Sequence, residues 1–295
     1  MNRLPGPKDL VKYIPAFIII AALFIFLLAL VNYAGNDGLK REVSDLDQNK
    51  TTELTSIKSI NDELLNYEDL SRQLSEIKGE YYSTARSLEE EVIQGKSPYK
   101  IAYLTFDDGP FNLTREYLKV LDNYDVLATF FVLGKTDYLD IYKETIAKGH
   151  SLGNHTYSHQ IRNGIYITPE SFMADVDKLD LFLQENLGVK TRVFRFPGGY
   201  LSAGIIKEEC LEALHESGYK YAEWNVLTRD AEVKDLTFEE AYANVMPIAT
   251  TKYMPIILMH DFNSSSLAAL PTIIEDLQTA NYVLLPLFDN SIALK

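Results

Sequence analysis

The sequence has little cysteine and few basic residues. Of its 295 residues only Cys210 is a cysteine, so the chain cannot form an intramolecular disulfide. Extracellular and cytoplasmic proteins both include chains without disulfides, and this absence leaves the compartment open. The 28 Lys and Arg residues are outnumbered by 42 Asp and Glu, which gives a net charge of −14. Nucleic acid binding requires basic patches, so we expect no nucleic acid partner.

One long uncharged apolar run lies near the N-terminus, from Ile14 to Val31. Its length is that of a helix which crosses a bilayer. Arg3, Lys8 and Lys12 precede the run, and the positive-inside rule therefore predicts a cytoplasmic N-terminus.

The predicted topology is that of a single-pass protein of the cell membrane. We expect residues 1–13 in the cytoplasm, residues 14–32 in the membrane and the rest of the chain outside. The alternative is a cleaved signal peptide. Its apolar region would be unusually long, and Asn32-Tyr33-Ala34 is a poor cleavage site.

Within the segment 33–96, the sequence from Asp37 to about Gly95 is polar, charged and almost free of Gly and Pro. Apolar and aromatic residues recur in it at intervals of seven, which is one face of a long helix: Ile60, Tyr67, Leu74, Tyr81 and Leu88. We therefore expect an extracellular helical stalk. The pattern allows a coiled-coil homodimer, a helix lying against the catalytic domain, or a solitary solvated helix.

Beyond Ser97-Pro98, strand-like runs alternate with helical stretches. The predicted strands are Ile101–Phe106, Ala128–Leu133, Val193–Phe196, Tyr219–Trp224, Pro255–Met259 and Tyr282–Leu287. Thr168 and Thr237 are predicted to cap two of the helices. The alternation indicates a mainly parallel sheet, open or closed into a barrel, and we assign residues 97–295 to a catalytic domain.

The first predicted strand ends in acidic residues. The apolar run Ile101–Phe106 reads as a strand covered on both faces, and Asp107-Asp108-Gly109-Pro110 follows it directly. The carboxyl ends of parallel strands are where α/β proteins build their sites. Two neighbouring carboxylates repel each other, and a metal ion would relieve that repulsion. A solvated turn is the alternative for this tetrapeptide alone.

A second informative pair is His155 and His159. On a helical turn, two histidines four residues apart point the same way and can reach one ion. With an acid from a strand end they supply two nitrogens and one oxygen, which leaves positions open for water and substrate. This donor set suits a divalent ion. We expect zinc, and cobalt, nickel and iron fit as well.

The stretches Thr105–Pro110 and Gly153–His159 together resemble two motifs of the polysaccharide deacetylase family, also called carbohydrate esterase family 4 or the NodB-homology domain. The resemblance extends from about Lys100 to Leu287. It implies a distorted (β/α) barrel of mostly parallel strands that removes acetyl groups from sugars with the help of a metal ion.

Roles for the acids and histidines follow from this resemblance. It implies that Asp108, His155 and His159 hold the metal ion, and that Asp107 is the catalytic base. These assignments match the three-ligand set that the residue types already suggested.

Arg195-Phe196-Pro197-Gly198-Gly199 resembles a third motif of the family. The resemblance implies that Arg195 holds Asp107 and that the amide of Gly198 helps to bind the oxyanion. Many relatives have tyrosine where this chain has Gly198. Tyr200 could replace that ring by stacking on a sugar, or could be an ordinary packed tyrosine, and we expect Trp224 to lie in the core.

The fourth and fifth motifs contribute an acid and a histidine. By resemblance, Asp230 orients His260, which protonates the leaving amine, and Leu258 lines the pocket for the acetyl methyl group. The fourth motif departs from the family pattern at Leu227, where relatives have an acid, and at Ala231, where they have tryptophan.

These features predict a membrane-anchored, outward-facing, metal-dependent deacetylase of cell-wall glycan, with peptidoglycan as the expected substrate. Another polymer remains an alternative: poly-N-acetylglucosamine, chitin-type oligomers or O-acetyl xylan. A non-catalytic glycan-binding scaffold of the same fold is a third possibility. The departures at Leu227 and Ala231 favour the scaffold, whereas retention of the acids and histidines speaks against it.

Overall fold

The computed structural model describes residues 79–295. The chain divides into two compact units, Met1–Thr84 and Ala85–Lys295. In the first unit the structure describes only residues 79–84, which are helical. The predicted cytoplasmic segment, the membrane anchor 14–32 and most of the stalk lie outside the described residues. Among residues 79–295, no helix combines the length and apolarity needed to cross a bilayer.

Residues 79–93 form helix α1. From Ala85 onward the helix belongs to the same compact unit as the sheet. Three apolar side chains of this part are buried: Ala85, Leu88 and Val92. Glu89 is fully buried too, and it accepts hydrogen bonds from the Tyr103 hydroxyl (2.5 Å) and the Ile292 amide (2.8 Å).

Within residues 79–295, eight strands form one sheet, and every pairing is parallel. They are β1 (Lys100–Gly109), β2 (Thr129–Val132), β3 (Ser151–Asn154), β4 (Val193–Phe194), β5 (Lys220–Tyr221), β6 (Val226–Leu227), β7 (Ile256–His260) and β8 (Tyr282–Leu284). The order is β5-β4-β3-β2-β1-β7-β6, and β8 pairs with the start of β1. The prediction of a parallel α/β sheet is confirmed. The sheet is a curled half-barrel, with β5 and β6 at the two ends of the strand order.

In the described part of the chain, six further α-helices connect the strands: α2 (Thr114–Asn123), α3 (Leu139–Ala147), α4 (Pro169–Leu187), α5 (Lys207–Glu216), α6 (Phe238–Ala249) and α7 (Ser264–Thr279). Both predicted N-caps are confirmed. Thr168 accepts a hydrogen bond from the Ser171 amide at the start of α4, and Thr237 accepts one from the Glu240 amide at the start of α6. Each satisfies a helix donor that would otherwise lack a partner.

Strand β1 lies at the centre of the sheet, between β2 and β7. Residues Ile101–Phe106 are fully buried, as the unbroken apolar run predicts for a strand covered on both faces. In the register, Asp107 pairs with Phe131 of β2 and with His260 of β7. The carboxyl ends of the three strands therefore meet at Asp107.

Candidate active site

Asp107 is a buried carboxylate held by a buried arginine. Arg195 Nη1 donates to Asp107 Oδ1 over 2.8 Å, and both side chains are almost completely inaccessible to solvent. The guanidinium is itself fixed, because Nη1 also donates to Thr105 Oγ1 and Nε donates to the carbonyl of Ala222. A charge-assisted bond in such surroundings orients the carboxylate and offsets its charge. The expected pairing of Arg195 with Asp107 is present.

Asp108 and the two histidines converge on one point. Asp108 Oδ1 lies 3.4 Å from Nε2 of His155 and 3.3 Å from Nε2 of His159. This oxygen is buried and has no hydrogen-bond partner among the described residues. Burial by itself would raise the pKa of Asp108, but the nearby imidazoles of His155, His159 and His260 hold it well below the usual range.

The three residues fit a divalent metal ion. Their ligand atoms lie within 4.8 Å of one another, and the unpartnered oxygen of Asp108 is the kind of atom that a cation satisfies. His155 Nδ1 lies 2.8 Å from the carbonyl oxygen of Arg195. A carbonyl only accepts, so Nδ1 carries a proton, and Nε2 is the nitrogen left to bind a metal.

The two histidines approach each other without a helical turn, so that part of the prediction is wrong. Residues 155–159 form a bent loop after β3, in which Thr156 and His159 have left-handed φ angles of 66° and 55°. Side chains hold this loop: Asn154 Oδ1 accepts from the Thr156 amide, and Thr156 Oγ1 accepts from the His159 amide. Such side-chain bonds compete with helix formation and bring the imidazole centroids to 5.1 Å.

His260 is oriented by Asp230 through two bonds. His260 Nδ1 lies 2.7 Å from Asp230 Oδ1, and the His260 amide donates to Asp230 Oδ2 over 2.9 Å. Burial would lower the pKa of His260, but the Asp230 bond and the charges of Asp107 and Asp108 raise it to about 9. His260 is therefore protonated at neutral pH, with Nε2 lying 3.8 Å from Asp108 Oδ2.

The remaining predicted residues lie in the third motif and on β7. Leu258 is buried and shares a face of β7 with His260, two residues on. Gly198 has a left-handed φ of 70°, and a Cβ there would meet Ser202 Oγ at 2.7 Å. A tyrosine at this position would need the loop to shift. The Tyr200 ring packs against Phe196.

Trp224 is half-buried rather than part of the core, so that expectation is wrong. Its ring edge lies against Gly199, where a Cβ would come within 3.1 Å of Cη2.

The chain is similar in sequence to known proteins. A family model described as polysaccharide deacetylase matches residues 94–222. A peptidoglycan-N-acetylglucosamine deacetylase of Bacillus cereus is 33% identical over 194 residues, which are 62% of this chain and 67% of that protein. The chain belongs to the polysaccharide deacetylase family. Members of this family generally use a divalent metal, and Asp108, His155 and His159 are the candidate ligands in this chain.

Solved structures of polysaccharide deacetylases share the fold. The catalytic domain of a peptidoglycan N-acetylglucosamine deacetylase from Eubacterium rectale superposes with a TM-score of 0.63 at 33% identity, covering 68% of this chain and 93% of that one. A carbohydrate esterase of the same family from Streptococcus mutans gives 0.59 at 31% identity, covering 67% and 90%. A chitin deacetylase from Pestalotiopsis is 31% identical over 57% of this chain and 55% of its own length.

Sequence reasoning missed two aromatic residues beside His260 in this polysaccharide deacetylase. The Phe262 ring lies 5.3 Å from the His260 ring, and the Phe111 ring lies 5.3 Å from that of Phe262. Both follow closely on motif residues, Phe111 after Pro110 and Phe262 after His260-Asp261. Position next to the motifs was the signal that could have identified them.

Proposed function

We propose that this polysaccharide deacetylase is a metal-dependent hydrolase that removes N-acetyl groups from cell-wall glycan, with peptidoglycan as its substrate. The observation that supports this function best is the meeting of three units at one edge of the sheet. These are the Asp107–Arg195 pair, the Asp108–His155–His159 cluster and the Asp230–His260 pair. The similarity to proteins named as peptidoglycan deacetylases supports the choice of substrate.

Asp108, His155 and His159 would hold the metal ion. Two imidazoles and a carboxylate suit zinc, and also cobalt, nickel or iron. When bound, such an ion polarises the acetamido carbonyl and lowers the pKa of water toward ~7.

Asp107 is the general base in this proposal. Its Oδ2 lies 3.8 Å from His155 Nε2, so the carboxylate borders the cluster while Arg195 holds the other oxygen. As water attacks the acetyl carbon, Asp107 takes the proton. A positioned base of this kind contributes typically 10²–10⁴-fold to the rate.

The Gly198 amide is the proposed donor to the oxyanion. It makes no hydrogen bond to another described residue, while the Gly198 carbonyl accepts from Ser202 Oγ and holds the turn. One donor of this kind is typically worth about 2.7–4 kcal/mol.

His260 is the proposed general acid. It is protonated at neutral pH, and Asp230 fixes the ring so that Nε2 faces the cluster. When the tetrahedral intermediate collapses, His260 gives its proton to the departing sugar nitrogen, and acetate and a free amine result. Leu258, on the same face of β7, would pack against the acetyl methyl group.

The predicted segments at the N-terminus complete the proposal. An anchor over residues 14–32 and a stalk over 33–96 would hold the enzyme outside the cell membrane, where wall polymer lies. The stalk could pair with that of a second copy. Chitin-type oligomers are the second candidate substrate, because a chitin deacetylase is 31% identical to this chain.

The test is acetate release by the purified full-length chain, loaded with zinc, from peptidoglycan and from N-acetylglucosamine oligomers. We expect release from peptidoglycan that stops in Asp107→Asn. Release from the oligomers alone would favour the second candidate. Binding of glycan without release of acetate, with other metals tried, would instead indicate the scaffold.

A further inference from the structure

A continuous strip of side chains extends from the proton donor. It consists of His260, Phe262, Phe111 and Lys135, and each contacts the next. The ring centroids of His260 and Phe262 are 5.3 Å apart, and so are those of Phe262 and Phe111. Lys135 Nζ then lies 3.3 Å from the centroid of Phe111. The strip therefore extends from His260, the proposed proton donor, to the positively charged side chain of Lys135.

The aromatic part of the strip is open to solvent. Phe262 is 40% exposed, and Phe111 is half-buried. Ala231, which follows the Asp230 that holds His260, is exposed and offers only a methyl group. An exposed aromatic ring beside a catalytic group is a typical feature of ligand-binding surfaces, because its flat apolar face can pack on the ligand.

The cation at the far end has unused hydrogen-bonding capacity. Lys135 Nζ donates to the carbonyl of Pro110 over 3.1 Å, and it forms no ion pair with any residue in the described range 79–295. An ammonium group has three donors, so the Pro110 bond and the contact with the Phe111 ring leave at least one available. Its position over the Phe111 ring holds it in place. In a chain of net charge −14, this leaves a positive group beside the site.

We propose that this strip is a subsite for a second sugar unit, in which Phe262 and Phe111 pack on the sugar and Lys135 pairs with a carboxylate carried by the glycan. The inference rests on the proposed function and narrows its substrate to an acidic N-acetylated glycan. Peptidoglycan carries carboxylates on its peptide stems, whereas chitin-type oligomers carry none. Both would use the rings, but only the acidic glycan would use Lys135.

Binding and turnover test the strip separately. Kd is measured in the Asp107→Asn background, which needs no turnover, for N-acetylglucosamine oligomers and for peptidoglycan fragments with free carboxylates. KM is measured for the same substrates with Asp107 intact. Phe262→Ala should weaken the binding of both substrates about tenfold, and Phe262→Tyr should restore that binding. Phe238→Ala, a comparably exposed phenylalanine on α6, is the control and should change neither.

Lys135→Met keeps the side-chain stem and removes the charge. We expect it to weaken the binding of the carboxylate-bearing fragments about three- to tenfold and the binding of the neutral oligomers hardly at all. This difference between the two substrates should shrink at high salt. Lys143→Met, at an exposed position on α3, is the matched control.

Each outcome separates the two proposals. Normal Kd and KM in Phe262→Ala would overturn the subsite, even if the enzyme releases acetate. An equal loss of affinity for both substrates in Lys135→Met would mean that Lys135 only supports the Pro110 turn. That result would overturn the carboxylate pairing. Glycan binding that depends on Phe262 without any acetate release would keep the subsite and refute the deacetylase.

Discussion

The carbonyl oxygen of Arg195 lies 2.8 Å from Nδ1 of His155. This contact decides which nitrogen of His155 is protonated and leaves Nε2 facing Asp108. The guanidinium of the same arginine holds Asp107. Arg195 therefore sets the tautomer of a candidate metal ligand with its backbone and the orientation of the proposed base with its side chain.

Asp107→Asn should remove turnover and leave metal binding intact. The amide cannot accept the proton from water, and Asp107 is not among the candidate ligands, so kcat should fall by at least ~10²-fold. Acetate release and metal content, measured on the same preparation, check this. Asp137→Asn, at an exposed position, should leave both unchanged. Undiminished turnover in the metal-loaded Asp107 variant would refute the role.

His159→Ala should weaken metal binding by at least ~100-fold, because it removes one of three candidate ligands. Metal affinity is measured by competition with a chelator of known affinity. His215→Ala is the control, since this histidine is exposed on α5. Unchanged affinity in the His159 variant would show that the ion, if bound, is held elsewhere.

Asp230→Asn should lower kcat by about 10²-fold or more, since His260 loses the carboxylate that orients it and raises its pKa. Metal content should not change. Ser266→Ala removes only one bond to Asp230 Oδ2 and should therefore cost much less activity. If the two variants lose equal activity, the charge of Asp230 is not what His260 needs.

Asp261→Asn should make stability less dependent on pH. Asp261 is fully buried, accepts from Thr114 Oγ1 and has its other oxygen unpartnered among the described residues. Burial raises its pKa from 3.8 to about 7, against the opposing effects of the Thr114 bond and the charges of Lys135 and His260. The folded state therefore binds the proton more tightly than the unfolded state.

This contribution is complete below pH ~4 and is lost as pH rises through about 7. It corresponds to a few kcal/mol, since each pKa unit is worth about 1.4 kcal/mol. Urea unfolding at pH 5 and pH 8 measures the part of this contribution that is lost between those two pH values. The free energy of unfolding of the variant, taken relative to that of wild type, should be higher at pH 8 than at pH 5. A difference between the two proteins that is the same at both pH values would contradict the assignment.

Tyr103→Phe should lower the free energy of unfolding by about 1–3 kcal/mol. The change removes the donor that satisfies Oε1 of the fully buried Glu89 on α1. Tyr99→Phe, at an exposed position, is the control and should have little effect. Equal stability of both variants would mean that α1 does not depend on this bond.

Local pattern was enough to predict much of this protein. The unbroken run Ile101–Phe106 predicts a strand buried on both faces, because a continuous apolar run must be covered on each side. Thr168 and Thr237 predict helix starts, because their side chains satisfy amides only a few residues away. The resemblance of short motifs correctly predicted the family, and it identified the residues that converge at the site.

Other features depend on contacts between residues far apart in the chain, which no local pattern records. His155 Nδ1 contacts the carbonyl oxygen of Arg195, 40 residues further along the chain, and Arg195 Nη1 donates to Asp107, 88 residues earlier. The ring of Phe262 contacts that of Phe111 because the strands β7 and β1, which precede these two residues, pair side by side in the sheet. Sequence determines which chemical groups are present, but packing of the parallel strands decides which of them meet.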